Sequence, residues 1–596
     1  MTKKEIWFEA YRHIAPNKGA TTAGPDEVTQ DRFSEGRVEN LIETLKSNRY
    51  SPKPVRRTYI PKANGKLRPL GIPAGDEKLV QEVVRIILES IYEPIFSDDS
   101  HGFRPSMSCH TALKHVKTWT NTVWFIEFDI KGYFDSISHK KLVDILEKRI
   151  DDRKFVRLIK DMLRAGVLEN WQYNRTYSGT PQGGVVSPLL ANIYLHELDD
   201  YIKAIQVEVN KGKTRQMNPD WTKIANQIAR KRRQIRRIRE ERGKGTPEES
   251  EWKKAIDALM KQRQAIPSHN PYDPNYRRLW YCRYADDWLL GFTGPKTEAH
   301  EIEKRIRQYV ETELLLTVSE EKTGIRKAQD SIRFLGYGIR TQRGEKVKRA
   351  VIRGTATKRK TINGQIKLFV PEEKVIAFCK SKGYGELKTR GMKARPFLTN
   401  QSEVETILRY NAEMRGFANY YSLAQDVKHK LDMLSYIATY SCLATLAAKH
   451  KTGIAKMAKQ MGHQREFEWK VTTPKGKVKT YRIWQIKHLK PVEMGQEIDS
   501  RPNPYAYNSR TELLKRLTAE KCEYCGREGG YLEVHHVRKL KDLKEKRTLE
   551  PWERIMIQRQ RKTLILCVFC HDLLHAGRLP DMRLELRPGS KGPSRK

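Results

Sequence analysis

The chain has 596 residues, of which 114 are Lys or Arg and 72 are Asp or Glu, so its formal net charge is +42. A mean hydropathy of −0.72 argues against a membrane protein, and the charged start Met-Thr-Lys-Lys-Glu argues against a secretory signal. So large an excess of cations is typical of proteins that bind a polyanion, because contacts with phosphates release condensed counterions. We therefore expect a multidomain nucleic-acid-binding protein, located in the cytoplasm because no export signal is recognised.

The predicted elements begin, in chain order, with helices that end near Tyr50. Two strands are expected over residues 55–72, because Asn64-Gly65 is a typical hairpin turn. A helix is predicted from Asp76 to Ile91, since apolar residues recur there on one face. The first part of the chain therefore mixes helices with strands, as in an α+β protein.

Two nearly continuous apolar runs, Val123–Ile130 and Trp280–Phe292, predict buried strands. Asp129 lies at the end of the first run, and Asp286 and Asp287 interrupt the second like the tip of a hairpin. A carboxylate at the end of a buried strand is costly unless a cation binds there. Two Mg²⁺ ions about 4 Å apart would provide that charge for phosphoryl transfer, although an Asp-Asp turn alone is usually an ordinary hairpin tip.

Residues 201–278 form a charged insertion in which isoleucines between 224 and 238 recur at helical spacing. The sequence Thr246-Pro247-Glu248-Glu249 is typical of a helix start with a capping box, so a helical hairpin is predicted. Its basic side, "ARKRRQIRRIR", either contacts RNA phosphates or is a solvated face without a ligand.

Seven blocks between about Val55 and Ile339 stand in the order found in reverse transcriptases, which this part of the chain resembles. They are "YIPKANGKLRPLGIP", "HGFRPSMSCHTAL", "FDIKGYFDSISH", "GTPQGGVVSPLLANIYLHELD", "YCRYADDWLLGF", "LTVSEEKTGI" and "IRFLGYGI". The resemblance implies a right-hand fold with fingers and palm, in which Asp129, Asp286 and Asp287 bind the catalytic metal ions. It also implies that the enzyme uses deoxynucleoside triphosphates as substrates.

Four further residues take expected roles from the same resemblance. Lys62 and Arg68, which flank the Asn-Gly turn, would close on the incoming triphosphate as a basic clamp, the alternative being ordinary surface cations. Phe134 matches the aromatic residue that blocks a ribose 2′-hydroxyl, the alternative being a core Phe. Gln182 matches a residue that lines the nucleotide pocket, and the adjacent glycines would let the backbone approach the template.

A helical pattern follows from about Pro371 to Gln460. The segments "RGFANYYSLAQ" and "LDMLSYIATYSCLATLAAKH" resemble the X, or maturase, domain of group II intron-encoded proteins. Apolar residues between Leu431 and Ala438 form a core stripe, whereas "GFANYY" and "TLAAKH" are expected to present aromatic, hydroxyl and basic groups to RNA.

Two Cys-x-x-Cys pairs mark the last block. In a chain without an export signal they are typical of a metal site, and four thiolates suit a closed structural Zn²⁺, with reduced free thiols as the alternative. The proposed zinc ligands are Cys522, Cys525, Cys567 and Cys570.

The block also contains "LEVHHVRKL" and "LILCVFCHDLLH", which resemble an HNH endonuclease. By that resemblance His535 is a metal ligand and His536 is the general base that takes a proton from water. His571 and His575, four residues apart on a predicted helix, can point at the same Mg²⁺-like ion. Thr563 stands where the family has an Asn.

The sequence thus predicts four units: 1–345, an N-terminal extension with reverse transcriptase fingers and palm; 346–450, a helical thumb and maturase domain; 451–510, a DNA-binding region and linker; and 511–596, a ββα-metal HNH endonuclease. The expected function is that of a group II intron-encoded protein. It would bind its intron RNA and assist splicing, nick double-stranded target DNA, and copy the RNA from the exposed 3′ end.

Two alternatives remain at this stage: a reverse transcriptase of another retroelement that carries an HNH nuclease, or a catalytically inactive RNA-binding splicing factor. The oligomeric state, monomer or homodimer, stays open.

Overall fold

The computed structural model of the chain describes residues 1–61, 65, 67–169, 172–174, 178–180, 183–270, 273–342, 347–352, 355–360, 364–463, 466–472, 476–490, 516, 517, 519–537, 540, 543, 548–559 and 561–580. Two predicted site residues, Lys62 and Gln182, lie outside the described residues.

The first 342 residues mix helices and strands, most of which pair antiparallel. Their helices are α1 (Lys4–Ile14), α2 (Glu35–Lys46), α3 (Gly75–Tyr92), α4 (Cys109–Thr118), α5 (Tyr133–Ser136), α6 (His139–Glu147), α7 (Arg153–Arg164), α8 (Ser187–Val209), α9 (Pro219–Arg242), α10 (Pro247–Ala265) and α11 (Lys296–Thr312). Their strands are β1 (Phe33–Ser34), β2 (Val55–Pro61), β3 (Leu67–Ile72), β4 (Trp124–Phe128), β5 (Val167–Glu169), β6 (Gln172–Asn174), β7 (Arg278–Tyr284), β8 (Asp287–Thr293), β9 (Gly324–Lys327), β10 (Ile332–Phe334) and β11 (Tyr337–Thr341).

The predicted hairpin of residues 55–72 is present as β2 and β3, which pair antiparallel with Thr58 opposite Leu70. Strand β5 adds to β2 in parallel, and β6 completes a sheet with the order β3-β2-β5-β6. The outer half of the hairpin is exposed, since Ile60 and Leu67 near its tip both face solvent. This sheet therefore projects a two-stranded arm from the body of the protein.

The central sheet has the order β7-β8-β4-β9 and is antiparallel throughout. Consecutive residues are buried on both of its middle strands, as with Phe125 and Ile126 on β4 and Leu289 and Leu290 on β8. Because both faces are covered, the two strands read in the sequence as continuous apolar runs rather than alternating ones.

The predicted helical hairpin of the insertion is present as α9 and α10. Ile228 and Ile235 of α9 are buried against Ile256 of α10. The Thr246 side chain accepts a hydrogen bond from the backbone N–H of Glu249, as expected of an N-cap. The reciprocal bond differs from the prediction, because the Glu249 carboxylate binds the N–H of Gly245 instead of that of Thr246.

The later part of the chain is mainly helical up to residue 461. Its helices are α12 (Glu372–Lys382), α13 (Glu403–Tyr420), α14 (Val427–Lys449), α15 (Ile454–Met461), α16 (Pro551–Arg559) and α17 (Val568–His575). Its strands are β12 (Val347–Ile352), β13 (Thr355–Lys360), β14 (Ile366–Phe369), β15 (Gly385–Glu386), β16 (Gly391–Met392), β17 (Gly462–His463), β18 (Glu466–Thr472), β19 (Val478–Arg482), β20 (Leu532–His536) and β21 (Thr563–Cys567).

Helix α14 is the core of the helical part. Leu431, Leu434 and Ile437 on it have no exposed surface, which confirms the predicted core stripe. By length and composition this helix could cross a membrane, but 72% of its most apolar window is buried inside the protein, as in a core helix.

The C-terminal unit consists of the antiparallel pair β20 and β21 followed by α17. Strand β1, from the N-terminal region, joins the outer edge of β20 and gives a three-stranded sheet with the order β1-β20-β21. One continuous apolar core includes Tyr11 of α1, Phe33 of β1 and Val534 of β20. The first and last parts of the chain are therefore packed together.

Candidate active sites

The first candidate site lies at one end of the central sheet. Phe128, the last residue of β4, pairs with Trp288 of β8, so Asp129 follows β4 at the level where Asp286 precedes β8 and Asp287 begins it. The three carboxylates, remote in sequence, thus come to the same sheet end. Their convergence follows from the antiparallel register.

The turn between β7 and β8, which carries Asp286 and Asp287, is supported by contacts with neighbouring residues. Ala285 has a φ of +57°, which few side-chain-bearing residues adopt. A Cβ added at Gly102 would overlap the backbone of Ala285, so only glycine fits against the turn. The guanidinium of Arg283 donates to the Ala285 carbonyl at 3.1 Å.

Burial and neighbouring negative charges raise the pKa values of Asp286 and Asp287. Burial raises the pKa of Asp287 to about 6, with further contributions from the negative charges of Asp286 and Asp129. Burial also raises the pKa of Asp286, against the opposing effect of Arg68. Lys322 Nζ lies 3.0 Å from each carboxylate oxygen of Asp129. An anionic cluster with raised pKa values is what a divalent-cation site looks like without its ions.

The other predicted residues of this site are placed as follows. Arg68 is exposed on β3, the strand of the projecting arm, and Phe134 is half-buried on α5 beside Tyr133. Gly183 has a φ of +109°, and a Cβ there would lie 2.5 Å from the carbonyl oxygen of Gly71. The lack of a side chain at Gly183 therefore allows its backbone to lie close to that of β3.

The second candidate site brings together three of the predicted histidines. His571 Nε2 lies 3.2 Å from His535 Nδ1 and 3.1 Å from His575 Nε2. Ligands at 2.0–2.1 Å around a tetrahedral ion are about 3.3–3.4 Å apart, so the three nitrogens fit a metal ion. Three imidazoles favour a transition-metal ion over Mg²⁺, which prefers oxygen ligands.

Two acidic residues complete this site and were not predicted. Glu533 accepts a hydrogen bond from His571 Nδ1 at 2.5 Å, which leaves Nε2 free to face a metal. The sequence held a signal for it, because residues 533 and 535 of one strand share a face. Asp31 also belongs to the cluster, with Oδ2 3.0 Å from His575 Nε2, and no local pattern pointed to it.

His536 lies beside the cluster on β20 and is buried. Burial lowers its pKa to about 4, so the imidazole is neutral near pH 7, as a general base must be. Its strand partner is Thr563, whose hydroxyl accepts a hydrogen bond from Arg516 at 3.3 Å.

The four cysteines of the two pairs form the third candidate site. Their sulfur atoms all lie within 4.8 Å of one another, and Cys525 Sγ is 3.8 Å from Cys567 Sγ. Sulfurs at 2.3 Å from a tetrahedral zinc are about 3.8 Å apart, so the set is compatible with zinc. A hydrogen bond from Cys570 and backbone N–H groups lower the pKa of Cys522 to about 4, which favours a thiolate.

The residues expected to face RNA fall into two groups, one exposed and one turned inward. Arg232, Arg233, Arg236 and Arg237 are all exposed on α9. The tyrosines of "GFANYY" turn inward instead, because Tyr420 donates to the Leu335 carbonyl at 2.8 Å and Tyr421 to that of Gly336 at 3.2 Å. Their hydroxyls hold α13 to the β10–β11 turn.

Three known families match separate parts of the chain. The reverse transcriptase (RNA-dependent DNA polymerase) family matches residues 60–217, the type II intron maturase family residues 363–496, and the AI2M/AI1M-like HNH endonuclease family residues 522–571. The matches therefore account for polymerase, maturase and nuclease parts in that order.

Similar proteins extend along nearly the whole chain. The group II intron-encoded protein LtrA of Lactococcus lactis subsp. cremoris is 40% identical over 581 residues, 96% of this chain and 94% of the relative. An uncharacterized 91 kDa protein in the cob intron of Schizosaccharomyces pombe is 33% identical over 593 residues, 97% of this chain and 69% of the relative. Among solved structures, a telomerase from Candida albicans in complex with a telomeric RNA fragment has a TM-score of 0.37 at 10% identity, covering 70% of this chain and 58% of that one.

Proposed function

The chain belongs to the group II intron-encoded proteins, and we propose that its polymerase and nuclease activities are carried out at the first two sites described above. It combines a right-hand reverse transcriptase, a helical thumb and maturase domain, and an HNH endonuclease, and acts with intron RNA and DNA. The domain limits that we propose are 1–345, 346–450, 451–510 and 511–596.

Asp129, Asp286 and Asp287 are the proposed ligands of two Mg²⁺ ions at the polymerase site. When bound, these ions would activate the primer 3′-hydroxyl and stabilise the leaving pyrophosphate. Arg68, on the projecting arm, would bind the triphosphate together with Lys62, which follows β2 in the sequence. Phe134 would exclude a ribose 2′-hydroxyl, and Gln182 would line the nucleotide pocket. The observation that supports this assignment is the convergence of the three acids at one end of the central sheet.

The variant Asp286→Asn tests the polymerase assignment. It should abolish primer extension on an RNA template with Mg²⁺, because a neutral amide cannot replace an anionic metal ligand. DNA nicking and intron RNA binding should stay near the parent level, since they use other parts of the chain. Asp330→Asn, which removes an exposed acid in a turn after β9, is the matched control. Primer extension by Asp286→Asn at the parent rate would refute the assignment.

At the nuclease site we propose that His535, His571 and His575 bind one metal ion. Their imidazole donors favour a transition-metal ion such as Zn²⁺ over the Mg²⁺ that the sequence suggested. His536 would take a proton from the attacking water, and the Glu533 carboxylate would keep the His571 ring in the correct tautomer. The result would be a nick in the target strand, whose 3′ end then primes reverse transcription.

The variant His536→Ala should stop DNA nicking while primer extension continues, because only the nuclease loses its base. His300→Ala removes an exposed histidine on α11 and serves as the control. A His536→Ala protein that nicks normally would show that another group accepts the proton.

We further propose that the four cysteines hold a structural zinc ion and that the particle works in the bacterial cytoplasm or an organelle matrix. In the zinc site four sulfur ligands leave no position open for substrate, which is why its role would be structural.

A further inference from the structure

Residues 31–34, near the start of the chain, lie against the nuclease. Phe33 of β1 pairs with Val534 of β20, and the backbone N–H of Arg32 donates to the Val534 carbonyl at 3.2 Å. Phe33 has no exposed surface, and its ring stacks on Tyr11 with 3.7 Å between the centroids. The segment is thus anchored to the N-terminal helices on one side and to the nuclease sheet on the other.

This pairing delivers the Asp31 carboxylate to the histidine cluster. Asp31 Oδ1 lies 3.5 Å from His535 Nδ1 and 3.7 Å from His571 Nε2. The same oxygen accepts a hydrogen bond from the backbone N–H of His536 at 2.8 Å, across 505 residues of sequence. These spacings are those of four donors around one ion, with the three histidines as the other three.

We infer that Asp31 takes the fourth position on the nuclease metal ion and thereby holds the nuclease in a closed, inactive state until the N-terminal segment is displaced. This inference rests on the proposed three-histidine metal site. Catalytic sites of this kind keep one position open, whereas four protein donors are typical of closed sites. A carboxylate oxygen is also an anionic donor like a phosphate oxygen, so Asp31 competes directly with the scissile phosphate.

The general base is buried in the same arrangement. His536 Nδ1 is buried and has no hydrogen-bond partner within the described residues. A base that takes a proton from water needs one of its ring nitrogens within reach of that water. While the segment is docked, Asp31 therefore occupies the metal position, and the base is largely withdrawn from solvent.

One contact between the docked segment and the nuclease can be weakened without changing a metal ligand. It is a partly exposed ion pair. Arg32 Nη2 lies 2.9 Å from Asp572 Oδ1, and both side chains are about half exposed. Asp572 is on α17, the helix that carries His571 and His575. Reversing the charge of Arg32 turns its attraction to Asp572 into repulsion, which favours undocking.

The test uses the full chain carrying Asp286→Asn and Asp287→Asn, so that the polymerase site does not take up the probe metal. Asp31→Ala should bind Mn²⁺ at the nuclease about tenfold more weakly, measured by electron paramagnetic resonance, because one donor is lost. At saturating Mn²⁺ the Asp31→Ala variant should nick double-stranded plasmid DNA about tenfold faster than the parent. This factor corresponds to a parent protein in which the undocked, open state is populated to about 10% or less.

Arg32→Glu should also nick faster, and it keeps every metal donor. Lys4→Glu, which disrupts exposed ion pairs of α1 with Glu35 and Glu39, is the matched control and should nick like the parent. Melting curves of all variants show whether each is folded, and Arg32→Glu provides the test if Asp31→Ala is not.

Slower nicking by Asp31→Ala at saturating Mn²⁺ would overturn the inference, since Asp31 would then be a required ligand. Unchanged Mn²⁺ affinity would overturn it as well, because Asp31 would not be on the metal. Failure of the underlying site is recognised separately: His575→Ala would then bind Mn²⁺ and nick like the parent.

Discussion

Arg283 and Asp199 form a bidentate ion pair with no exposed surface, directly behind the turn that carries the polymerase acids. Arg283 Nε donates to Asp199 Oδ1 at 2.8 Å and Nη2 to Oδ2 at 2.6 Å. The third guanidinium nitrogen, Nη1, reaches the Ala285 carbonyl and the side chain of Asn192. The pair thus ties α8 to the acidic turn between β7 and β8.

The variant Asp199→Ala should destabilise the polymerase by about 3–5 kcal/mol, because it leaves a buried guanidinium without a counter-charge. It should also lower primer extension, since the turn loses its support. The matched control is Glu208→Ala, which removes the partner of Arg305 in an exposed bidentate pair and should lower the melting temperature far less. Thermal melting measures the stability of each variant, and thermal inactivation of primer extension measures the effect on the polymerase. Equal losses in the two variants would mean that burial of the pair does not matter.

Cys570→Ser should remove the bound zinc, because the site then has three thiolates and a weak hydroxyl ligand. DNA nicking should be lost and the melting of the nuclease part should shift to lower temperature, while primer extension stays intact. Metal content by mass spectrometry and the two activity assays measure this. Cys109→Ala, outside the cluster, is the control. A Cys570→Ser protein that retains zinc would contradict the four-cysteine assignment.

Replacing Arg232, Arg233, Arg236 and Arg237 with Gln should make intron RNA binding less sensitive to salt. None of the four has an ion-pair partner in the part of the chain that the structure describes, so all are free to contact phosphates. If each contacts one phosphate, the slope of log K against log salt falls by up to about 3. The same four changed to Lys keep the charge and should keep the slope. An unchanged slope in the Gln variant would make this a solvated face.

Stability should depend on pH through His13, which joins α1 to α3. His13 Nδ1 lies 2.8 Å from Glu82 Oε1, and Nε2 lies 3.0 Å from Glu9 Oε1. Burial by itself would lower the pKa of His13, but the bonds to both glutamates outweigh it and raise the pKa to about 9. Since the folded value exceeds the unfolded one of about 6.5, the stabilisation is complete below pH 6.5 and is lost as the pH rises through 9.

His13→Gln should therefore lower the melting temperature at pH 6 more than at pH 9.5. His300→Gln, at an exposed position on α11, should show no such difference. A His13→Gln effect of the same size at both pH values would mean that the charge of His13 does not contribute.

Much of the three sites was predictable because the signals are local. Asp286 and Asp287 interrupt an apolar run, His571 and His575 stand one helical turn apart, and each cysteine pair is contained in four residues. The expectation for Tyr420 and Tyr421 was not met, because an aromatic residue near a basic segment packs inward as readily as it faces RNA.

The sequence by itself determined the order of the activities, the acidic, histidine and cysteine sets, and the helical insertion, since each depends on spacing within a strand, helix or turn. Only the tertiary structure decided which distant groups meet those sets: Lys322 at Asp129, Asp199 behind the acidic turn, and Asp31 among the nuclease histidines. These contacts arise from strand pairing and from packing in a shared core. Both join residues hundreds of positions apart, and neither produces a periodic pattern in the sequence.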